Sequence, residues 1–233
     1  MIQDPIDTVN LAQQAVTTTT REVSVYDMLA EGGIFGMIVI AILFILFVAA
    51  VYIFVERFLT IRKLGDSDKN FIYHIRDFVY DNKIESAVDL CKREDTPESR
   101  MIQKGLLRIG RPLKEISDAI ENTGKLEIFR MEANINYLAT IAGAAPMIGF
   151  LGTVIGMIMA FAEIANTEGQ VDPKLLSSGI YVAMLTTAAG LIVGIAAYLF
   201  YNYLVMKVDK TVHRMETSVT DFLDLLNKPV VKS

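Results

Sequence analysis

The 233-residue chain has no tryptophan, one cysteine and two histidines. A single thiol, Cys91, excludes an intrachain disulfide. His74 and His213 are isolated, Cys91 has no neighbouring histidine or basic cluster, and no P-loop, metal-ligand spacing or triad pattern occurs. Nothing therefore points to an enzyme, a metal site or a cofactor. A net charge of −5 carries no basic footprint for nucleic acid. The most informative absence is local. No Asp, Glu, Lys, Arg or His occurs in residues 32–55, 133–162 or 175–206, windows of 24, 30 and 32 residues.

A bilayer core takes about 20 apolar residues, so each window is long enough to span it. The composition agrees: 52% of residues are hydrophobic, and the mean hydropathy is +0.39. The alternative is a soluble bundle of unusually apolar helices, but soluble domains of this size are less apolar. The first window is not expected to be a cleaved signal. It follows some thirty residues of chain, lacks a basic leader and exceeds the roughly 7–15 residues of a signal core. With tryptophan absent, interfacial aromatics must be Tyr and Phe. Of the 22 Lys and Arg, residues 56–132 hold fifteen and 207–233 hold five; only Arg21 and Lys174 lie elsewhere. The positive-inside rule then predicts a cytoplasmic middle segment and C-terminus, with the N-terminus and the loop near 163–174 outside.

The expected fold is an all-α integral membrane protein with three transmembrane helices. Its parts are an outer N-terminal arm (1–33), a first span (34–55), a cytoplasmic helical domain (56–132), a second span (133–163), an outer loop (164–175), a third span (176–206) and a cytoplasmic C-terminal helix (207–233). Ser24 to Gly33 reads as a short amphipathic helix on the outer surface. In the cytoplasmic segment, Phe71, Ile72, Ile75, Phe78 and Val79 recur at helical spacing, as do Ile84, Ala87, Val88 and Cys91. Thr96 before Pro97 reads as a helix cap, followed by a face of Met101, Ile102, Gly105, Leu106 and Ile109. Arg111-Pro112 restarts a helix, whose pattern is expected to continue from Leu113 unbroken into the second span. Leu204, Val208, Thr211, Met215, Val219, Phe222 and Leu226 form a coiled-coil-like stripe beyond the third. Two helices of forty or more residues thus leave the bilayer, and their stripes need partners from the cytoplasmic segment or from other copies of the chain.

The first span is bulky. The second and third carry small residues instead: Gly149, Gly152 and Gly156 in one, Gly190 and Gly194 in the other. Gly152/Gly156 and Gly190/Gly194 are GxxxG pairs, which let helix backbones approach closely. Among them stand Thr140, Thr153, Thr186 and Thr187. A membrane threonine often satisfies its hydroxyl on a carbonyl one turn back; it can also line a wet path or bond a carboxylate. Pro146 removes one helical amide and leaves a carbonyl without its usual donor. The three charge-free windows contain no carboxylate, so an ion-carrying residue would have to come from another chain. Glu163, at the outer end of the second span, is a candidate for a pore mouth or simply a residue at the water interface.

APMIGFLGTVIGMIMAF (Ala145 to Phe161) and GIYVAMLTTAAGLIVGIAAYLFYN (Gly179 to Asn202) resemble the MotA/TolQ/ExbB proton-channel family, and its ExbB branch most of all. The resemblance implies a ring-forming homo-oligomer, a pentamer, around a dimer of a single-span ExbD/TolR-like protein that supplies a membrane aspartate. It implies that proton flow in a bacterial inner membrane drives a TonB-like protein, or, in the TolQ branch, an envelope-maintenance machine. Thr153 matches the threonine of the family's GTV motif and Thr187 that of its ATAxGL motif, both pore-lining hydroxyls, with Thr186 beside them. Two positions depart from the family: Val182 stands where a glutamate is common, and Ala196 where a proline is common. A non-conducting membrane scaffold would explain the glycines equally well, though not the threonines at both motif positions.

Overall fold

A computed structural model describes residues 33–64, 70–166 and 173–227. The arm, the amphipathic stretch expected from Ser24 up to residue 32, residues 167–172 of the expected outer loop and the last six residues lie outside the described residues; α-helix covers the remainder of that loop, to Asn166 and from Pro173. The described chain consists of seven helices: α1 (Gly33–Leu64), α2 (Phe71–Tyr80), α3 (Ile84–Glu94), α4 (Pro97–Leu106), α5 (Leu113–Glu132), α6 (Ile135–Asn166) and α7 (Pro173–Asn227). Three contain segments long and apolar enough to cross a membrane: Ile34–Leu64, Ile135–Ala162 and Gly179–Asn227.

In α1 most of the apolar side chains are exposed, Ile34, Phe44, Ile45 and Val48 among them. Only Val39, Leu43 and Ala50, at spacings of four and seven, are buried in the upper helix. That is one narrow seam against α6 and α7, with the remainder of the helix presented to an apolar surround. Further along, Phe54 stacks on Phe200 at 4.3 Å and Phe58 lies 6.0 Å from Tyr203. The paired numbers rise together, so α1 and α7 run parallel, as two helices separated by one intervening span should.

α2 to α5 form a small bundle beside the extended end of α7. Each short helix buries one face, such as Phe71 and Ile75 on α2 or Ala87, Val88 and Cys91 on α3. Thr96 caps α4 with Pro97 in the first turn, as the sequence suggests. The Ser99 side chain returns the bond, its Oγ accepting from Thr96 N at 2.9 Å. α4 stops at Leu106, so Ile109 does not extend its buried face and is 37% exposed. From the end of the membrane span onward, α7 buries Leu204, Val208, Thr211, Met215, Ser218 and Phe222. These alternate by four and three, so Ser218 stands in the seam and Val219 at its edge. The stripe packs on α2, α4 and α5 of the same chain. At its end Phe222 meets Gly105 so closely that a β-carbon there would lie 2.7 Å from the ring.

The expected continuous helix from Leu113 into the second span is broken. α5 ends at Glu132, Ala133 is extended (φ −51, ψ 138) and Asn134 adopts φ +64. Asparagine is among the few side chains that enter the left-handed region at modest cost. The break frees α5 to turn onto α4 and α7, while Arg57 on α1 donates from NH1 to the Arg130 carbonyl at 3.5 Å, near the opened end. Among the described helices, the third apolar one runs furthest without interruption: its 55 residues extend about 80 Å at 1.5 Å per residue.

Candidate functional site

α6 and α7 are antiparallel neighbours joined by six residues, and they make the most extensive contact among the described helices. Two matched series of small positions form the contact: Ala145, Gly149, Gly152, Gly156 and Ala160 on α6, and Gly179, Ala183, Thr186, Gly190 and Gly194 on α7. A β-carbon on Gly190 would lie 2.7 Å from the Ala145 carbonyl and 2.9 Å from Gly149 Cα. On Gly149 it would lie 2.7 Å from the Thr186 carbonyl. On Gly156 it would meet Ala183 Cβ at 3.1 Å, and on Gly179 Ala160 Cβ at 2.9 Å. Backbone meets backbone here, which only glycine permits. Gly194 receives Pro146: a β-carbon would stand 2.6 Å from the ring and 3.1 Å from the Ala142 carbonyl, the acceptor that Pro146 leaves without its usual amide. Gly179, Ala160 and Ala183 continue the glycine pattern at a spacing of three and four, although the sequence reading did not include them.

The hydroxyls follow from this seam. Thr186 is fully buried, and its Oγ1 donates to the Ala183 carbonyl at 2.8 Å. It fills the space over Gly152, where a β-carbon would lie 2.5 Å from that oxygen. Thr186 therefore stands between the two helices, not on an open face. Its neighbour Thr187 is half-buried and donates across to the Gly149 carbonyl on α6 at 3.1 Å. Thr153, one turn beyond Gly149 on α6, is also half-buried and donates to the Phe150 carbonyl at 2.6 Å. Thr140 bonds the Asn136 carbonyl at 3.1 Å. Each hydroxyl proton is thus committed to a carbonyl, while the oxygen lone pairs stay able to accept. Thr153 and Thr187 lie at one level of the pair, linked through the turn that begins at Gly149.

Val182 is buried and packs on α1, where a β-carbon on Gly36 would come within 2.7 Å of it. That position is thus part of the apolar contact between α1 and α7. Glu163 is the first acidic residue beyond the charge-free part of α6; its side chain lies outside the described residues. No group of three or more His, Cys, Asp or Glu that could hold a metal ion occurs among the described residues.

An ion network that the sequence did not reveal lies in the bundle. Glu127 on α5, with its side chain 4% exposed, accepts from Arg100 Nε at 3.1 Å, Arg100 NH2 at 2.8 Å and Arg130 NH1 at 2.9 Å. Arg100 also bonds Asp95 at the end of α3, at 2.7 Å. The Glu127 hydrogen bond raises the Arg100 pKa above its already high ordinary value, so the network joins three helices as fixed charges. Its central pair, Arg100 and Glu127, is 27 residues apart on separate helices, and no periodicity brings those two together.

A multi-pass helical membrane protein, with two uncharged spans closed through glycine and carrying hydroxyls at one level, is the class these features define. The chain belongs to the MotA/TolQ/ExbB proton channel family, whose model matches residues 93–217, from the end of α3 through most of α7. It is 29% identical over 195 residues to a protein of Methanothermobacter thermautotrophicus described as a biopolymer transport protein ExbB homolog, covering 83% of this chain and 67% of that one. The biopolymer transport protein ExbB of Aquifex aeolicus is 38% identical over 92 residues, 36% of this chain and 62% of the relative. The Tol-Pal system protein TolQ of Haemophilus influenzae is 31% identical over 102 residues, 44% of each chain. The chain thus spans about half to two thirds of the length of these relatives.

Proposed function

We infer that the chain is the channel and motor subunit of a proton-motive-force machine of the ExbB type. It would form a homopentamer in a bacterial inner membrane, N-terminus outside and C-terminus in the cytoplasm, around a single-span ExbD/TolR-like dimer. Proton flow would energise a TonB-like protein and through it transport across the outer membrane. The observation that carries this reading is the pair Thr153 and Thr187, half-buried at one level of a span pair that offers no charge of its own.

The chemistry follows from the hydroxyls. An ionised aspartate in mid-membrane costs about 2.5–3.5 kcal/mol on insertion scales. A protonated carboxyl can donate to a threonine lone pair while the hydroxyl keeps its carbonyl bond. After deprotonation the hydroxyl rotates and donates to the carboxylate. The exchange gives up a neutral bond of about 1 kcal/mol for a charge-assisted one roughly twice as strong. Hydroxyls therefore ease both protonation states without trapping the ion as a lysine would. Each proton crossing about 100 mV releases roughly 2.3 kcal/mol, enough to bias the motion of a weakly held partner. Glu163 would stand near the pore mouth, and Thr186 would hold the helices together beside the path.

The test is Thr153→Val and Thr187→Val, with Thr187→Ser as the rescue. The valine variants should assemble while losing most proton-driven uptake, and serine should restore it. If both variants and the double variant assemble and support normal uptake, the site assignment is wrong. Proton flux in liposomes, with and without the partner, separates a channel from a scaffold. A TolQ-type role in envelope maintenance is the second reading, because relatives of both names match the chain. Co-purification with a TonB-like or a Tol-Pal-like protein decides between them.

A further inference from the structure

A cavity of about 790 Å³ opens between the end of α1 and the middle of α7. Its wall is amphipathic. Phe58, Tyr203 and Leu204 line the part toward the membrane span; Arg62, Lys207 and Lys210 line the part beyond it. The change falls where the charge-free window of α7 ends, at Met206. Because Phe58 lies beside Tyr203, Arg62 one turn on reaches the level of Lys207. No Asp or Glu is among the described lining residues. Arg62 and Lys210 have no ion pair with a described residue, and Lys207 rests over the Tyr203 ring at 5.6 Å. Three cations brought to one wall repel one another, and such an arrangement favours an anion.

We propose that this cavity holds one anionic phospholipid of the leaflet on the basic side, its phosphate among Arg62, Lys207 and Lys210 and its glycerol and upper acyl chain along Phe58, Tyr203 and Leu204. Depth favours a lipid over an acidic peptide or a free phosphate. The cavity begins within the apolar span, where lipid is the surrounding medium, and its wall at that end is Phe58, Tyr203 and Leu204. Basic pockets between membrane helices at this depth suit phospholipid headgroups. The proposal does not depend on the proton-motor reading, since it uses other residues and another ligand.

The experiment uses the full chain, delipidated in mild detergent and supplied with phosphatidylglycerol or phosphatidylcholine, with bound lipid read by native mass spectrometry. Phosphatidylglycerol should be retained at least about ten-fold better. A cation near a membrane anion contributes about five-fold, so Arg62→Gln/Lys207→Gln/Lys210→Gln should lower retention on the order of 100-fold. Lys83→Gln/Lys92→Gln/Lys125→Gln, which removes three exposed charges elsewhere, should leave it unchanged. Equal retention of the two lipids, or equal loss in the control triple, overturns the proposal, as does displacement of phosphatidylglycerol by millimolar glycerol phosphate. Should the pocket triple misfold, photoreactive phosphatidylglycerol on the unaltered protein decides. Adducts within residues 58–62 and 203–214 support the site; adducts only elsewhere, or a cross-linked polypeptide in their place, refute it.

Discussion

Thr186 and Thr187 are adjacent in sequence, yet their hydroxyls go to different helices: one to Ala183 of its own turn, the other to Gly149 of the neighbouring span. The hundred degrees between successive helical residues separates a packing role from an accessible one. At the same scale, Glu127→Ala should destabilise the bundle by about 3 kcal/mol, because it strips two arginines of a shared buried carboxylate. Replacing both main partners with apolar side chains, Arg100→Met with Glu127→Leu, should recover much of that loss; urea unfolding of both proteins would show it. Cys91 is 1% exposed, and burial pushes its thiol up to about 12 from 9.0. The folded state thus keeps the proton while the unfolded chain loses it. The Cys91 contribution to stability is untouched below pH 9 and falls by about 1.4 kcal/mol per unit between about 9 and 12. Cys91 should also resist maleimide at neutral pH on either side of a membrane, so an introduced Lys92→Cys is the reporter for orientation. It should label in inverted vesicles and not in intact spheroplasts; the opposite pattern would reverse the proposed topology.

Among the elements, the α6–α7 pair depends on positions where no side chain fits. Gly190→Ala places a methyl 2.7 Å from a backbone carbonyl that cannot rotate away. It should force the helices apart at a cost of about 1–3 kcal/mol. Gly143 sits on the same helix as Gly149, but a β-carbon there meets nothing within 4 Å. Gly143→Ala should therefore be neutral or stabilise the helix by up to about 1 kcal/mol. Thermal unfolding of the two variants in one detergent compares them directly; equal effects would mean that the close approach is not what holds the pair. The break at Asn134 works at this scale too, since it lets α5 leave the line of α6 and pack on the bundle.

For the whole molecule, the apolar surface is larger than one chain can bury. Met147, Phe150, Leu151 and Ile158 on α6, and Met184, Ile192, Ile195 and Tyr198 on α7, are all well exposed. A cavity of about 430 Å³ bordered by Gly143, Pro146 and Tyr198 lies on the same pair. Lipid covers such faces in a monomer; neighbouring copies cover them in the proposed ring. Native mass spectrometry in mild detergent should find five copies of the 25.9 kDa chain, and a population of monomer and dimer alone would count heavily against the ring.

Three spans, the short bundle helices, the Thr96 cap and the overlong last helix were legible from the sequence. Hydropathy, periodicity and capping are local properties, decided by residues within a few turns of one another. The threonine motifs were legible because their spacing is local as well. The break between α5 and α6 was not: Ala133 and Asn134 sit in a helical pattern, and the turn takes its value from the contacts α5 gains on α4 and α7. The separation of Thr186 from Thr187, the pairing of Gly190 with Gly149 and the meeting of Arg100 with Glu127 likewise depend on how two helices are rotated against each other. That rotation is set by the sum of contacts between distant segments, and only the tertiary structure decides it.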